Sequence, residues 1–426
     1  VVHDGAVAPP PESRLVRRLG TGDAVAIGLA AMIGTGVFVA WQPAASAAGA
    51  WLLAGLAVAA FVAFCNATST AQLAAVHPEA GGAYHYGRLR LGDAWGALAG
   101  YAFVLGKSAS CATAALAVGA YLWPSHDVAV ALAAVVAVTA VNLAGVRRTA
   151  RVGAVLVALV IAVLAAVVGT GLGGAGVAPD WSSGSSGGVL GVLGSAAVLF
   201  YAFAGYARIA TLGEEVRDPA SIPRAVIVSL TAALVLYAVV GLTVLLVLGA
   251  SGTVDSSQPL RAVAAAAGAG WLEPVVAAGA AVAALGALLS LQAGVGRTAF
   301  AMASAGDLPA RLAAVHARRR VPHVAELASA VVTVVFVLVG DLATTLAASA
   351  FAVLVYYAVA NAASWRLGPD ERRWPRWLSA VGLASCVLLA VSLPWRTVVV
   401  GAAVLLVVMG VRAILRWQGV SPKSRP

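Results

Sequence analysis

Apolar residues run along this chain in blocks about as long as a membrane crossing, separated by short polar stretches. A helix needs about 20 apolar residues to cross the hydrocarbon core of a bilayer. The pattern predicts twelve such spans, at 23–48, 51–76, 94–122, 127–146, 151–171, 189–212, 225–250, 272–297, 324–340, 342–365, 376–392 and 396–415. The narrowest division is at Asp341, where two spans join with almost no loop. Backbone N–H and C=O groups cannot stay unpaired in lipid, so the spans are expected to be helices and not open strands. Their Gly- and Ala-rich faces suit close helix packing in a bilayer. The chain divides into an N-terminal segment (1–22), five spans (23–171), a connection (172–188), five more spans (189–365), two further spans (366–415) and a tail (416–426).

The basic residues give the orientation. Short cytoplasmic loops carry the excess of Lys and Arg. With the N-terminus inside, 23 of the 27 Lys and Arg residues fall on the cytoplasmic side. The outside holds Arg261 and Arg396, while Lys107 and Arg208 remain within spans. A wrong span count would scramble this alternation. It predicts a multi-pass protein of the cell membrane with both termini cytoplasmic. The longest outside connection, 171–188, is rich in Gly and Ser and holds no Lys or Arg.

Composition agrees with this picture and excludes others. The chain has 426 residues, of which 61% are apolar and 10% are charged, whereas soluble domains carry roughly a quarter charged residues. The net charge of +10 is spread over the loops, which argues against a nucleic-acid partner and leaves lipid as the surrounding one. Cys65, Cys111 and Cys386 all fall inside apolar spans, where they read as small packing residues. The six histidines show no zinc-ligand spacing, and no metal or cofactor is expected. No cleavable signal peptide is expected either. The first apolar run begins near Asp23, after a polar segment with Arg14, Arg17 and Arg18.

Two spans carry signs of interruption. Span 1 contains Ile33-Gly34-Thr35-Gly36-Val37-Phe38 near its middle. Glycine is costly inside a helix and admits backbone shapes that other residues resist. An unwound stretch would free amides and carbonyls for a ligand at mid-membrane, with a half-helix N-terminus favouring a carboxylate. The alternative is a close helix contact between small residues. Span 6 has a comparable stretch, Phe200-Tyr201-Ala202-Phe203-Ala204-Gly205-Tyr206. Spans 1 and 6 are corresponding members of the two groups of five. Paired interruptions in corresponding positions point to a transporter site. No clear residue identity links the halves, so a repeat is inferred from spacing alone.

These stretches resemble the amino acid–polyamine–organocation superfamily, especially its cationic amino acid transporter-like bacterial members. Besides Gly-Thr-Gly-Val-Phe in span 1, the resemblance rests on Pro78-Glu79-Ala80-Gly81-Gly82-Ala83-Tyr84-His85-Tyr86 after span 2. It continues through the span 6 stretch into Ile209-Ala210-Thr211, Glu214-Glu215-Val216-Arg217-Asp218-Pro219 and Ile222-Pro223. After span 8 it includes Arg297, Ala301-Met302-Ala303 and Gly306-Asp307-Leu308-Pro309, with Pro322 beyond the basic run. The resemblance covers most of the chain. It implies an all-α integral membrane fold of the LeuT type: ten core helices in a 5+5 inverted repeat with discontinuous helices 1 and 6, plus two peripheral helices. It implies that a substrate carboxylate meets the amides of Thr35, Gly36 and Val37, beside Gly34. The substrate ammonium would meet carbonyls near Ile33, Phe203 and Ala204, beside Gly205. Tyr201, Phe203 and Tyr206 would be candidates for an aromatic gate, with core packing as the alternative. Two departures stand out. Many cationic transporter-like members have an Asp two residues after the span 6 glycine, where this chain has Ala207. Proton-using relatives often carry a Lys in span 5, and the matching stretch 155–163 has no ionisable residue, Val160 standing at that position.

The function expected is secondary transport of an L-amino acid by alternating access, with polyamine or amine transport and amino acid exchange as alternatives. A co-transported proton is one coupling; sodium coupling and uniport also stay open. Lys107 lies near the centre of span 3, where an intramembrane cation costs about 2.5–3.5 kcal/mol on insertion scales. It either titrates or pairs during transport, in place of the missing span 5 lysine, or forms a static tether. Arg208, one to two turns from Glu214 and Glu215, reads as a structural ion pair or a cytoplasmic gate, and the two glutamates as a hinge or gate cluster. The run Arg318-Arg319-Arg320 reads as a topology signal, with anionic lipid as a second reading. A channel would need charge rings or filter carbonyls, and a membrane enzyme would need clustered His, Asp or Glu. The sequence shows neither. No carboxylate stands clearly at mid-membrane, which weakens a cationic substrate against a neutral one.

Overall fold

The computed structural model describes residues 20–77, 81–145, 150–174, 187–206, 221–319 and 321–417. Every regular element among them is helical. The first predicted span is three pieces: α1 (Thr21–Met32), α2 (Gly36–Val39) and α3 (Trp41–Ala48). It is followed by α4 (Leu52–Val76), the short α5 (Gly82–Leu91), α6 (Asp93–Leu122), α7 (Asp127–Leu143) and α8 (Ala150–Gly174). The second half holds α9 (Gly188–Phe203), α10 (Ile222–Asp255), the short α11 (Pro259–Ala266), α12 (Glu273–Ser304), α13 (His323–Val339) and α14 (Leu342–Trp365). Two last helices, α15 (Arg376–Val391) and α16 (Trp395–Trp417), close the described chain.

Ten helical stretches among the described residues are long and apolar enough to cross a membrane. The shorter apolar helices α13 and α15 stand where the pattern puts its ninth and eleventh spans. The nearly loop-free junction at Asp341 has a local cause. The Asp341 carboxylate accepts a 2.7 Å hydrogen bond from the Thr344 amide and caps α14, satisfying an amide that has no acceptor within the helix. The tight corner between α5 and α6 depends on Gly92, whose φ of 105° suits glycine alone.

Two packing groups form the interior. One joins α1, α3, α4, α9 and α10; the other joins α6, α7, α12 and α13. The helix α6 is the most embedded element and packs along α12 and α14. Among the helix pairs in contact, α3 lies on α9, α4 on α10, α6 on α12 and α7 on α13. Large exposed tryptophans mark the helix ends. Trp51, Trp123, Trp271 and Trp395 stand at the ends assigned to the outside by the basic residues. Trp95, Trp365, Trp377 and Trp417 stand at the opposite ends. Amphipathic rings of this kind settle at the two bilayer interfaces.

The end that carries the basic loops is tied by a buried carboxylate. The side chain of Asp307, in the turn after α12, has no solvent exposure. Its Oδ2 accepts from the Tyr84 hydroxyl at 2.8 Å and from Arg88 at 3.1 Å. Its Oδ1 accepts from Arg412 at 2.7 Å and Arg416 at 3.0 Å. The Tyr101 hydroxyl donates to the Asp307 carbonyl. Burial and the Asp307 carboxylate push the Tyr84 phenol up to about 12. Asp93 joins the same group, pairing with Arg88 and Arg416 at 3.1 Å each. Elements α5, α6, α12 and α16 are thus pinned at one point. Nearby, Arg90 donates to Glu371 and holds its carboxyl below the usual range.

Candidate functional site

The interruption expected in span 1 is present. Helix α1 ends at Met32, and Ile33 turns out of the helix with φ −78° and ψ 69°. A one-turn helix restarts at Gly36. The Ile33 amide still bonds back to Leu29, at 2.7 Å, and the Thr35 carbonyl accepts from Phe38, at 3.0 Å. Between these bonds lies a gap. The amides of Thr35, Gly36 and Val37 make no hydrogen bond with another described residue, and neither do the carbonyls of Ile33 and Gly34. Residues Ile33 to Val37 are all buried. Buried backbone groups are nearly always paired, so consecutive free donors at a helix start form an anion-binding arrangement. The buried Thr35 Oγ1 makes no well-formed hydrogen bond among the described residues, and the Tyr201 side chain lies near it.

Span 6 departs from the α-helix at the corresponding place. Helix α9 ends at Phe203 and tightens into a single 3₁₀ turn, Ala204–Tyr206. Such tightening is common where a helix is under local strain or ends. Phe203, Ala204 and Tyr206 are buried, while Tyr201 and Gly205 are half-buried. The structure brings the two departures together. A Cβ on Gly36 would lie 2.7 Å from the Ala202 Cα, and one on Gly205 would collide with the Ala31 carbonyl oxygen. Only glycines permit so close an approach of two backbones. Gly34 is less crowded, its nearest neighbour being Ala287, at 3.3 Å. Gly-Thr-Gly thus combines a break in the helix with a close backbone contact at Gly36.

Aromatic side chains pin the site from four helices. The Tyr237 hydroxyl of α10 reaches the Met32 carbonyl at 2.7 Å and the Ala202 carbonyl at 3.1 Å. It thereby bridges both departures. Phe203 packs edge-on against the Tyr237 ring, at 5.1 Å. Tyr206 stacks on Tyr357 of α14, with centroids 5.2 Å apart, and the Tyr357 hydroxyl donates to the Ala204 carbonyl at 3.3 Å. The α2 side is held by the Trp41 indole, which donates to the Val37 carbonyl at 2.6 Å, and by the Tyr121 hydroxyl on the Phe38 carbonyl at 3.1 Å. Tyr237, Trp41 and Tyr357 were not singled out in the sequence. Their signal was a polar ring tip in an apolar span, which needs a partner when buried.

The predicted charged groups divide. Lys107 is 8% exposed in the middle of α6, one turn before Cys111. No hydrogen bond or ion pair reaches it from another described residue. Tyr201 lies beside Thr113 of α6 and Thr35, within the field of Cys111. Arg208, Glu214 and Glu215 lie outside the described residues, as does Ala207. One carboxylate was overlooked. Glu326 stands at the edge of the ninth predicted span, yet it is only 4% exposed. A charge near a span boundary reads as solvated until the packing is known.

Residues 23–424 match the amino acid permease family. An uncharacterized transporter of Mycobacterium tuberculosis is 52% identical over 411 residues, covering 95% of this chain and 93% of that protein. The branched-chain amino acid permease BcaP of Bacillus subtilis is 26% identical over 353 residues, covering 76% of this chain and 75% of that protein. A chloroplastic cationic amino acid transporter of Arabidopsis thaliana is 29% identical over 208 residues, covering 47% of this chain and 35% of that protein. The helical architecture and these relatives agree: the chain belongs to the amino acid permease family of the amino acid–polyamine–organocation superfamily, and is a multi-pass membrane transporter, not an enzyme.

Proposed function

We propose that the chain is a secondary active transporter that carries a neutral L-amino acid across the cell membrane by alternating access. The observation that carries this reading is the run of free amides at Thr35, Gly36 and Val37. A substrate carboxylate accepts hydrogen bonds there, at the positive end of a half-helix. The ammonium group lies against the carbonyls of Ile33, Phe203 and Ala204. The side chain faces Tyr201, Phe203 and Tyr206, with Tyr206 and Tyr357 closing over it as an aromatic gate. Ile33, Val37 and Phe203 offer apolar surroundings, and no acidic side chain stands among these residues. A neutral, apolar substrate fits that chemistry better than a cationic one. The name of the Bacillus relative supports the same class.

The reading includes twelve transmembrane helices in a LeuT-type 5+5 inverted repeat, with both termini cytoplasmic. Its supports are the contacts between corresponding spans, the matched departures in spans 1 and 6, the two tryptophan belts and the distribution of basic residues. Purified protein in liposomes should take up labelled leucine, isoleucine or valine saturably and show counterflow. Absence of both across a full amino acid panel overturns the substrate class. Arginine uptake that outcompetes leucine overturns the neutral preference.

Lys107 belongs to this mechanism as a charge beside the site. Lys107→Ala should lower gradient-driven accumulation by roughly 5- to 150-fold, the usual range of coupling between sites, and leave counterflow in place. Unchanged accumulation with an unchanged pH profile removes Lys107 from the coupling.

A further inference from the structure

Away from the interrupted helices, four elements enclose a second polar region: α6, α7, α12 and α13. Its centre is Glu326, on the first turn of α13. The side chain is 4% exposed, and its Oε2 is buried with no hydrogen-bond partner among the described residues. Gly296 of α12 makes the room for it. A Cβ on Gly296 would lie 2.8 Å from the Glu326 carboxyl carbon. One turn along α12 stands Gln292, fully buried, whose amide donates to Thr139 of α7 at 2.6 Å. The Gln292 Oε1 also has no partner among the described residues. Two buried, unsatisfied acceptor oxygens thus occupy the same region of the α12 surface.

The depth of the group is set by α12. Gly296 lies eight residues before the helix ends at Ser304, about 12 Å at 1.5 Å per residue. Glu326 is therefore buried about 12 Å from the tip of α12, near the boundary where the eighth and ninth predicted spans meet the basic loops. An ionised carboxylate buried without a partner is strongly disfavoured, and binding a proton removes that cost. Among the described residues, no ion pair holds it. Arg297 of α12 is the cation whose field reaches it. Lys107 and Cys111 stand on α6, with Cys111 within the field of both Lys107 and Glu326. The one titratable group on α7, Asp127, is at that helix's opposite end. Arg311, on the short helix 310–313, is exposed. His323, a turn below on α13, is half-buried and rests against the His316 ring.

We propose that Glu326 is the proton-binding site of this transporter, a carboxyl group that takes up one proton in the state described here and releases it when α12 and α13 move relative to each other. This deepens the transport reading above and rests on it. The step is a simple protonation: one carboxylate oxygen gains a proton from one side of the membrane and loses it to the other. Release requires a cation to approach the carboxylate as the proton leaves, and Arg297 and Lys107 are the cations on the adjoining helices.

The test uses purified protein in liposomes containing a pH-sensitive dye, with leucine as the probe and Glu326→Gln as the variant. The glutamine keeps the shape and can donate a hydrogen bond, but it cannot release a proton. Wild-type protein should move protons with leucine, and Glu326→Gln should lose that movement at least roughly tenfold while leucine counterflow stays within about twofold. Equal proton movement in the variant overturns the proposal, and so does leucine transport without proton movement in the wild type. Loss of counterflow in the wild type sinks the amino acid reading instead. Infrared difference spectra then decide the fate of Glu326 without any substrate. A protonated-carboxyl band that titrates in the wild type and is missing from Glu326→Gln supports the site, and identical spectra overturn it. Glu326→Asp, which restores a carboxyl, should recover part of both signals.

Discussion

Replacing Gly36 by valine is expected to abolish saturable uptake while the protein still reaches the membrane. The new Cβ would lie 2.7 Å from the Ala202 Cα and 2.8 Å from its Cβ. A backbone atom of a packed helix cannot rotate away as a long side chain can. The half-helix α2 must shift, and the amides of Thr35, Gly36 and Val37 shift with it. Overpacking of this kind costs about 1–3 kcal/mol, tolerable for a protein with this much buried contact. The loss in transport should be far larger than the loss in stability. A misplacement near 1 Å in a positioned site costs roughly 100-fold, and uptake should fall by at least that factor. Gly36→Ala should give a smaller loss in the same direction. Initial rates of labelled leucine uptake, set against the amount of folded protein measured by size exclusion, check the prediction. Uptake near the wild-type rate in Gly36→Val would mean that the contact between the two departures is not part of the transport site.

The second large effect is on stability. Asp307→Ala removes the acceptor shared by Tyr84, Arg88, Arg412 and Arg416. Three guanidinium groups would remain around one cavity, with Asp93 the one carboxylate among the described residues paired with them. Removing one partner of a buried ion pair costs about 3–5 kcal/mol, because the other charge is stranded. The thermal unfolding midpoint in detergent should fall by several degrees. Asp307→Asn should fall less, since its carbonyl oxygen still accepts from Tyr84 or one arginine. Adding Arg412→Met to Asp307→Ala should recover part of the loss by removing one stranded charge. Identical unfolding midpoints for wild type and Asp307→Ala would show that the α16 arginines find other partners at no cost.

The architecture was legible because bilayer chemistry writes itself into long apolar blocks. Ten long apolar helices followed from hydropathy, and the interruption at Gly34-Thr35-Gly36 was read from its glycines only together with the comparable stretch in span 6 and the family resemblance. The limits of legibility were contacts that join distant residues. Asp307 sits in a loop motif that reads as a turn, and nothing local shows that arginines 105 and 109 residues later bind it. Tyr237 stands alone in an apolar span, and its two acceptors belong to other helices. Glu326 falls within four residues of a predicted boundary, where a small shift in the start of the helix decides between solvent and interior. In each case the chemistry was visible as a residue type, and the partner was a matter of packing.

A hydroxyl group has one proton to give, and Tyr237 points it toward two carbonyls, on Met32 and Ala202. While both lie within about 3 Å, the bond is shared, and the ends of α1 and α9 are registered against the same atom of α10. A sub-ångström slip of either end redistributes the shared bond, and a slip of much more than an ångström forces a choice of one partner. The tyrosine therefore works as a vernier between the two half-helices: their relative displacement is divided into a small continuous range and then a discrete change of partner. Motion at the site acquires a threshold from a single phenol oxygen.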